Sequence, residues 1–221
     1  MKDIDIYDKD FAGTYSSERE KFLNADRYSF EKLEYIGLSD KIVIDIGCGD
    51  GRHAQKMYGL GAKKVIGIDN SEAMVTLASV NTTADILFEL GEASDTGQED
   101  GLADLIFSNF VIHYTKDLSP VFAEFNRILK KGGMVVMTFN IFETEDSTLR
   151  NTGVPLRLGG VIVVTNLVKS HTEITGALQS NGFCIDSYEA IDSSYLSIDD
   201  TFEDKDKITD IKNILCVASK I

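Results

Sequence analysis

One stretch constrains this chain more than any other: KIVIDIG, residues 41–47, runs straight into CGDG, residues 48–51. A short β-branched run ended by glycine reads as a buried parallel strand, because such strands are covered on both faces. Gly47, Gly49 and Gly51 then recur at every second position before a helical segment over 51–60. Glycine permits the tight backbone turn from strand to helix and lets a ligand approach the main chain. The spacing is not the G-x-G-x-x-G of a dinucleotide loop, because position 52 is arginine.

The rest of the chain alternates around this unit. Strands are expected at 63–69, 84–90, 103–110 and 133–139, and helices at 27–38, at 71–80 with Ser71 as N-cap, and at 120–131. The last of these places Pro120 at its first position, lines Val121, Phe122, Phe125, Ile128 and Leu129 on one face, and sets Lys130 and Lys131 against its C-terminal dipole. Strands separated by single helices imply right-handed crossovers and a parallel sheet. Residues 172–181 read as a helix, and 183–191 and 214–221 as two final strands forming an antiparallel hairpin at the sheet edge, with an acidic loop over 192–207. The expected fold is α/β: a Rossmann-like, seven-stranded, mostly parallel sheet with helices on both faces. A single domain over 1–221 would divide into an N-terminal cap segment (1–40), a cofactor-binding core (41–140), a poorly periodic substrate-cap insertion (141–170), and a C-terminal helix with edge strands (171–221).

Charge and composition exclude several classes. Among 221 residues, 22 Lys and Arg stand against 36 Asp and Glu, a net charge of −14. Such a surface repels phosphates, so neither nucleic acid nor an anionic membrane is an expected partner. Cys48, Cys184 and Cys216 are too few for a disulfide framework, and with His53, His113 and His171 they lack metal-ligand spacing, so no metal is expected. With no apolar run near 18 residues and no leader-like N-terminus, a cytoplasmic protein is expected.

Asp45, just ahead of the glycines, would repel a pyrophosphate but suits a ligand carrying an ammonium and a sulfonium, as S-adenosylmethionine does. Asp69 ends the second strand and is placed to accept both hydroxyls of a ribose. With these, VIDIGCGDG, GIDNSEAM, LGEASD, SNFVIHYTKD and FNRILKKGGMVVMTF, in that order, resemble the class I S-adenosylmethionine-dependent methyltransferases. The likeness, over roughly residues 7–190, is to the small-molecule branch that includes ubiquinone and menaquinone biosynthesis enzymes. It implies that Asp45, Gly47, Cys48 and Gly49 border the methionine moiety, that Asp69 binds the ribose, and that Asn70 lies beside the adenine. Glu92 and Ala93 fall near the adenine amine, Asn109 and Phe110 under the methionine portion, and Tyr15, in FAGTY, closes over it. S-adenosylhomocysteine would be the product.

His113 follows the fourth strand and is the candidate general base. Tyr7, His113, Arg157 and His171 are the candidates for contact with a small acceptor carrying an oxygen, nitrogen or carbon nucleophile. A monomer or homodimer is expected. Two other readings stay open at this level: a non-catalytic cofactor-binding scaffold on the same fold, and an NAD-dependent oxidoreductase, which the glycine spacing disfavours. A nucleic-acid methyltransferase would need an Asn-Pro-Pro-Tyr type motif where SNFVIHY stands.

Overall fold

The strand that feeds the glycines lies inside the main sheet, flanked on both sides by parallel partners. A computed structural model describes residues 23–80, 82–149, 152–158, 161–192, 196–198 and 203–221. In chain order its elements are α1 (Leu23–Ile36), β1 (Ile42–Ile46), α2 (Arg52–Gly59), β2 (Lys64–Asp69), α3 (Glu72–Ser79), β3 (Ile86–Leu90), β4 (Ala103–Asn109), α4 (Leu118–Ile128), β5 (Leu129–Glu143), β6 (Gly153–Leu158), β7 (Val161–Leu167), α5 (His171–Ser180), β8 (Phe183–Ile191), β9 (Leu196–Ile198) and β10 (Asp210–Lys220). The seven-stranded sheet has the order β3-β2-β1-β4-β5-β10-β8. Its first five strands are parallel, and β10 is antiparallel to both β5 and β8.

Strand alternation sends successive side chains to opposite faces, and each face has its own core. Ile44, Ile46, Ile66, Ile68 and Ile106 pack under Phe122, Phe125 and Ile128 of α4 and Ile174 and Leu178 of α5. Val43, Val65, Leu105 and Phe107 pack under Phe30 and Leu33 of α1 and Ala54 and Met57 of α2. Asp45 shares Val43's face, so its carboxylate belongs to the α1/α2 side of the sheet.

Several boundaries depart from the sequence reading. Helix α4 begins at Leu118 because the Asp117 side chain accepts the Ser119 N–H and caps it, which makes Pro120 the third helical residue. Lys130 and Lys131 belong to β5, not to the helix end. The carbonyls of Asn126 and Leu129 are instead taken by Lys220 Nζ, at 2.6 and 2.8 Å. Strands β8 and β10 do form the expected antiparallel edge pair, with the later strand on the inside. The order follows burial: β10 is buried over Asn213–Ala218, whereas β8 alternates with exposed residues and suits an edge.

The stretch 141–170 is not irregular. Strand β5 continues to Glu143, and β6 and β7 form an antiparallel pair. A short strand from the expected acidic loop, β9, joins them in a second sheet of order β7-β6-β9. Phe142, Leu149, Val154, Val168 and Ile208 form its small separate core. Strand β7 lies against the single helical turn Ile112–Tyr114 that follows β4.

Candidate active site

The glycine loop is held by the end of β2. Gly47 N–H and Cys48 N–H both donate to the Ile68 carbonyl, at 2.7 and 3.1 Å. Gly47 has φ 70°, and a Cβ there would sit 2.2 Å from Val111 Cγ2, so the turn after β4 is packed directly on the loop. Gly49, at φ 55°, has nothing within 4 Å of the same position, which makes it the open side of the loop.

Asp69 joins the loop to the next helix. Its Oδ2 accepts the Gly49 N–H at 2.8 Å and its Oδ1 accepts the Ser71 N–H at 2.9 Å. Each oxygen keeps further acceptor capacity. Burial raises the Asp69 carboxyl above its ordinary value, a shift that the Ser71 and Gly49 N–H groups only partly offset. Asp45 is 1% exposed. Burial pushes the Cys48 thiol up, and the charges of Asp45 and Asp69 push it further, so Cys48 is a neutral packing group. Two carboxylates flanking the loop, whose Gly47, Cys48 and Gly49 N–H groups are taken by Ile68 and Asp69, make a site that favours a cationic ligand.

Three of the expected adenosine-side residues come together. Gly91 N–H donates to the Asp69 carbonyl at 3.0 Å, which brings the segment after β3 beside β2. Asn70 Nδ2 then reaches Glu92 Oε2 at 3.4 Å. Ala93 is half-buried and packs on the core beneath.

At the end of β4 the structure shows a buried polar cluster that the sequence reading did not single out. Asp26 of α1, 5% exposed, accepts from Arg52 Nη2 at 2.7 Å, from Asn109 Nδ2 at 2.8 Å, and pairs with His53 Nε2 at 3.2 Å. Asn109 Oδ1 in turn accepts the Thr138 hydroxyl. Burial works against the Asp26 charge, but His53, Arg52 and Asn109 together hold its carboxyl below the ordinary value. The cluster ties α1, the first turn of α2, β4 and β5 to one point beside the loop. Phe110, the next residue, has φ 58° and donates its N–H to the Thr138 carbonyl at 2.8 Å. A non-glycine residue in that region is uncommon, and here the turn is held by the Thr138 carbonyl.

His113 lies in the Ile112–Tyr114 turn, two residues from Val111, and is 2% exposed. Its Nδ1 accepts the Asn140 backbone N–H at 3.3 Å. Nε2 is buried with no hydrogen-bond partner among the described residues. Desolvation pushes the imidazole down to about 3. The rings of Phe110 and Tyr114 stand 6.1 and 4.3 Å from it, centroid to centroid.

Of the remaining expected residues only His171 has a described side chain. His171 packs edge-on against Tyr188 of β8, 4.5 Å between centroids. Strand β8 lies five positions along the sheet from β2, about 24 Å at the usual strand spacing of about 4.8 Å. Arg157 lies in β6, in register with Ile162 and Ser197, and its side chain lies outside the described set. Tyr7 and Tyr15 lie outside the described residues.

Residues 44–137, which hold the glycine loop, Asp69, Glu92 and His113, match the family described as "Methyltransferase domain". A malonyl-[acyl-carrier protein] O-methyltransferase from Legionella pneumophila is 31% identical over 112 residues, 49% of this chain and 39% of that protein. A tRNA U34 carboxymethyltransferase from Actinobacillus succinogenes is 31% identical over 119 residues, 51% of this chain and 36% of that protein. The matched stretch thus spans under two fifths of the length of these relatives. Among solved structures, an S-adenosylmethionine-dependent methyltransferase from Mesorhizobium loti superposes with a TM-score of 0.61 at 19% identity, over 83% of this chain and 93% of that one. The fold is that of S-adenosylmethionine-dependent methyltransferases, and the methyltransferase-domain match covers residues 44–137, under half of the chain.

Proposed function

We propose that this protein transfers a methyl group from S-adenosylmethionine to a small-molecule acceptor, releasing S-adenosylhomocysteine. The observation that carries this reading is the joint between Gly49 N–H and the Asp69 carboxylate, with buried Asp45 beside it, at the carboxyl ends of β1 and β2. The residues fit that cofactor. Asp45 suits the ammonium and sulfonium of its methionine end, Asp69 its ribose, and Asn70 with Glu92 its adenine. When bound, the cofactor supplies an activated methyl on a sulfonium. The chain's own work is then to fix the donor, align the acceptor and exclude water. The glycine loop and Asp69 do the first. The small sheet β7-β6-β9, which lies against the His113 turn, does the second and third.

The acceptor class rests on charge. One matched relative is named for a tRNA, but a net charge of −14 disfavours a nucleic-acid substrate. Membrane association has no support from helices, since no described helix is long and apolar enough to cross a bilayer. Thermal unfolding tests the cofactor reading. S-adenosylhomocysteine at about 100 times its dissociation constant should add about 2.7 kcal/mol to stability, with NAD adding nothing. A rise with NAD alone would restore the oxidoreductase reading.

A further inference from the structure

His113 holds a buried polar atom that the methyl-transfer reading leaves unused. The turn that carries it follows Val111, which is packed on Gly47 of the cofactor loop, and lies against β7 of the small sheet. Its tautomer is fixed by a backbone group. The Asn140 N–H can only donate, so Nδ1 must be the bare nitrogen and Nε2 must carry the proton. An imidazolium would set two N–H groups against each other across 3.3 Å. Nε2 therefore has no lone pair to take a proton, and its N–H has no protein acceptor among the described residues. A buried donor without a partner is costly unless a ligand supplies one.

We propose that His113 acts as a hydrogen-bond donor to the acceptor substrate, not as a base, and that the acceptor is a carboxylate methylated on oxygen. This rests on the methyl-transfer reading of the same site. Alcohols and phenols lose a proton as they are methylated, and an ammonium must lose one before its nitrogen can attack, so each calls for a proton acceptor. A carboxylate, with an ordinary value near 4, is already ionised at neutral pH and needs only orientation. One carboxylate oxygen accepts the Nε2–H. A lone pair of the other forms the bond to the methyl carbon as the carbon–sulfur bond breaks, and that bond's electron pair stays on sulfur. An anion and a sulfonium become a neutral ester and a neutral thioether, with no proton moved. Charge is annihilated along this path, so a dry site such as that around His113 favours it. The overall negative charge of the chain is screened beyond about 8 Å at physiological salt and does not bar a small anion.

Two measurements on the full chain test this. Nitrogen-15 NMR of histidine-labelled protein, with His113→Gln identifying the signals, should show the proton on Nε2 and a bare Nδ1 throughout the neutral range. A proton on Nδ1 overturns the donor assignment without reference to activity. Methyl-tritiated S-adenosylmethionine is then offered with aliphatic mono- and dicarboxylic acids and half-thioesters of dicarboxylic acids, against alcohols, phenols and amines of matched chain length. Label should enter the carboxylates only, and alkali should release it as volatile methanol. His113→Gln, which donates but cannot act as a base at neutral pH, should keep activity within about threefold, whereas His113→Leu should lose about tenfold in kcat/KM. Alkali-stable label on an alcohol, phenol or amine, no carboxylate labelled, or a Gln variant as impaired as Leu overturns the proposal. Calorimetry with S-adenosylhomocysteine runs alongside: lack of binding defeats the methyl-transfer reading itself, whereas binding with the wrong acceptor class defeats only this inference.

Discussion

Asp26 is the residue whose role depends most on distant neighbours. Its carboxylate is buried and paired with Arg52 and His53, which follow the glycine loop. Removing one partner of such a pair leaves an uncompensated buried charge, so Asp26→Asn should lower unfolding stability by about 3 kcal/mol, read from urea denaturation. An unchanged midpoint would show that the cluster carries no net stabilisation. Because the Asp26 carboxyl is held below its ordinary 3.8, this contribution is present above that pH and is lost as pH falls through the lower folded value. His113 acts over a different window. Its folded value of about 3 lies below the ordinary 6.5, so the unfolded chain binds the extra proton between those values and stability rises with pH across them. Between pH 7 and pH 5 the wild type should lose about 2 kcal/mol from this group, and His113→Gln should lack that loss, as measured by denaturation at each pH.

At the scale of elements, the N-terminal half of the sheet was legible because its signals are local. The β-branched runs KIVIDIG and KKVIGID, each stopped by glycine or an acid, need no partner to be read. The end of α4 was misread for the opposite reason. Lys130 and Lys131 stand where a dipole argument wants them, yet the carbonyls there are satisfied by Lys220, from the last strand. Lys220→Met should therefore destabilise the protein by about 1 kcal/mol, through two lost charge-assisted hydrogen bonds. Lys131→Met should change stability by no more than about 0.5 kcal/mol. Denaturation of the two variants side by side checks the assignment. The small sheet was missed because its strands are short and Pro155 sits in one of them. Its third strand comes from a segment whose acidity reads as a solvated loop.

Across the whole molecule the same division separates what spacing reveals from what folding brings together. Asp45, Gly47, Gly49 and Asp69 were legible as one site because a strand, a turn and the next strand's end fix their relation within 25 residues. The Asp26–Asn109 contact spans 83 residues, and an aspartate in a polar N-terminal stretch looks the same in sequence whether solvated or buried. His113 was visible as a residue, but its tautomer depends on a backbone N–H from β5. The central claim, that the glycine loop and Asp69 form the cofactor site, is tested most directly by calorimetric titration of S-adenosylhomocysteine into the wild type and Asp69→Ala. Micromolar binding that weakens at least tenfold in the variant, about 1.4 kcal/mol of lost contact, is the expected result. No binding to well-folded wild type, or equal binding to both proteins, would contradict it.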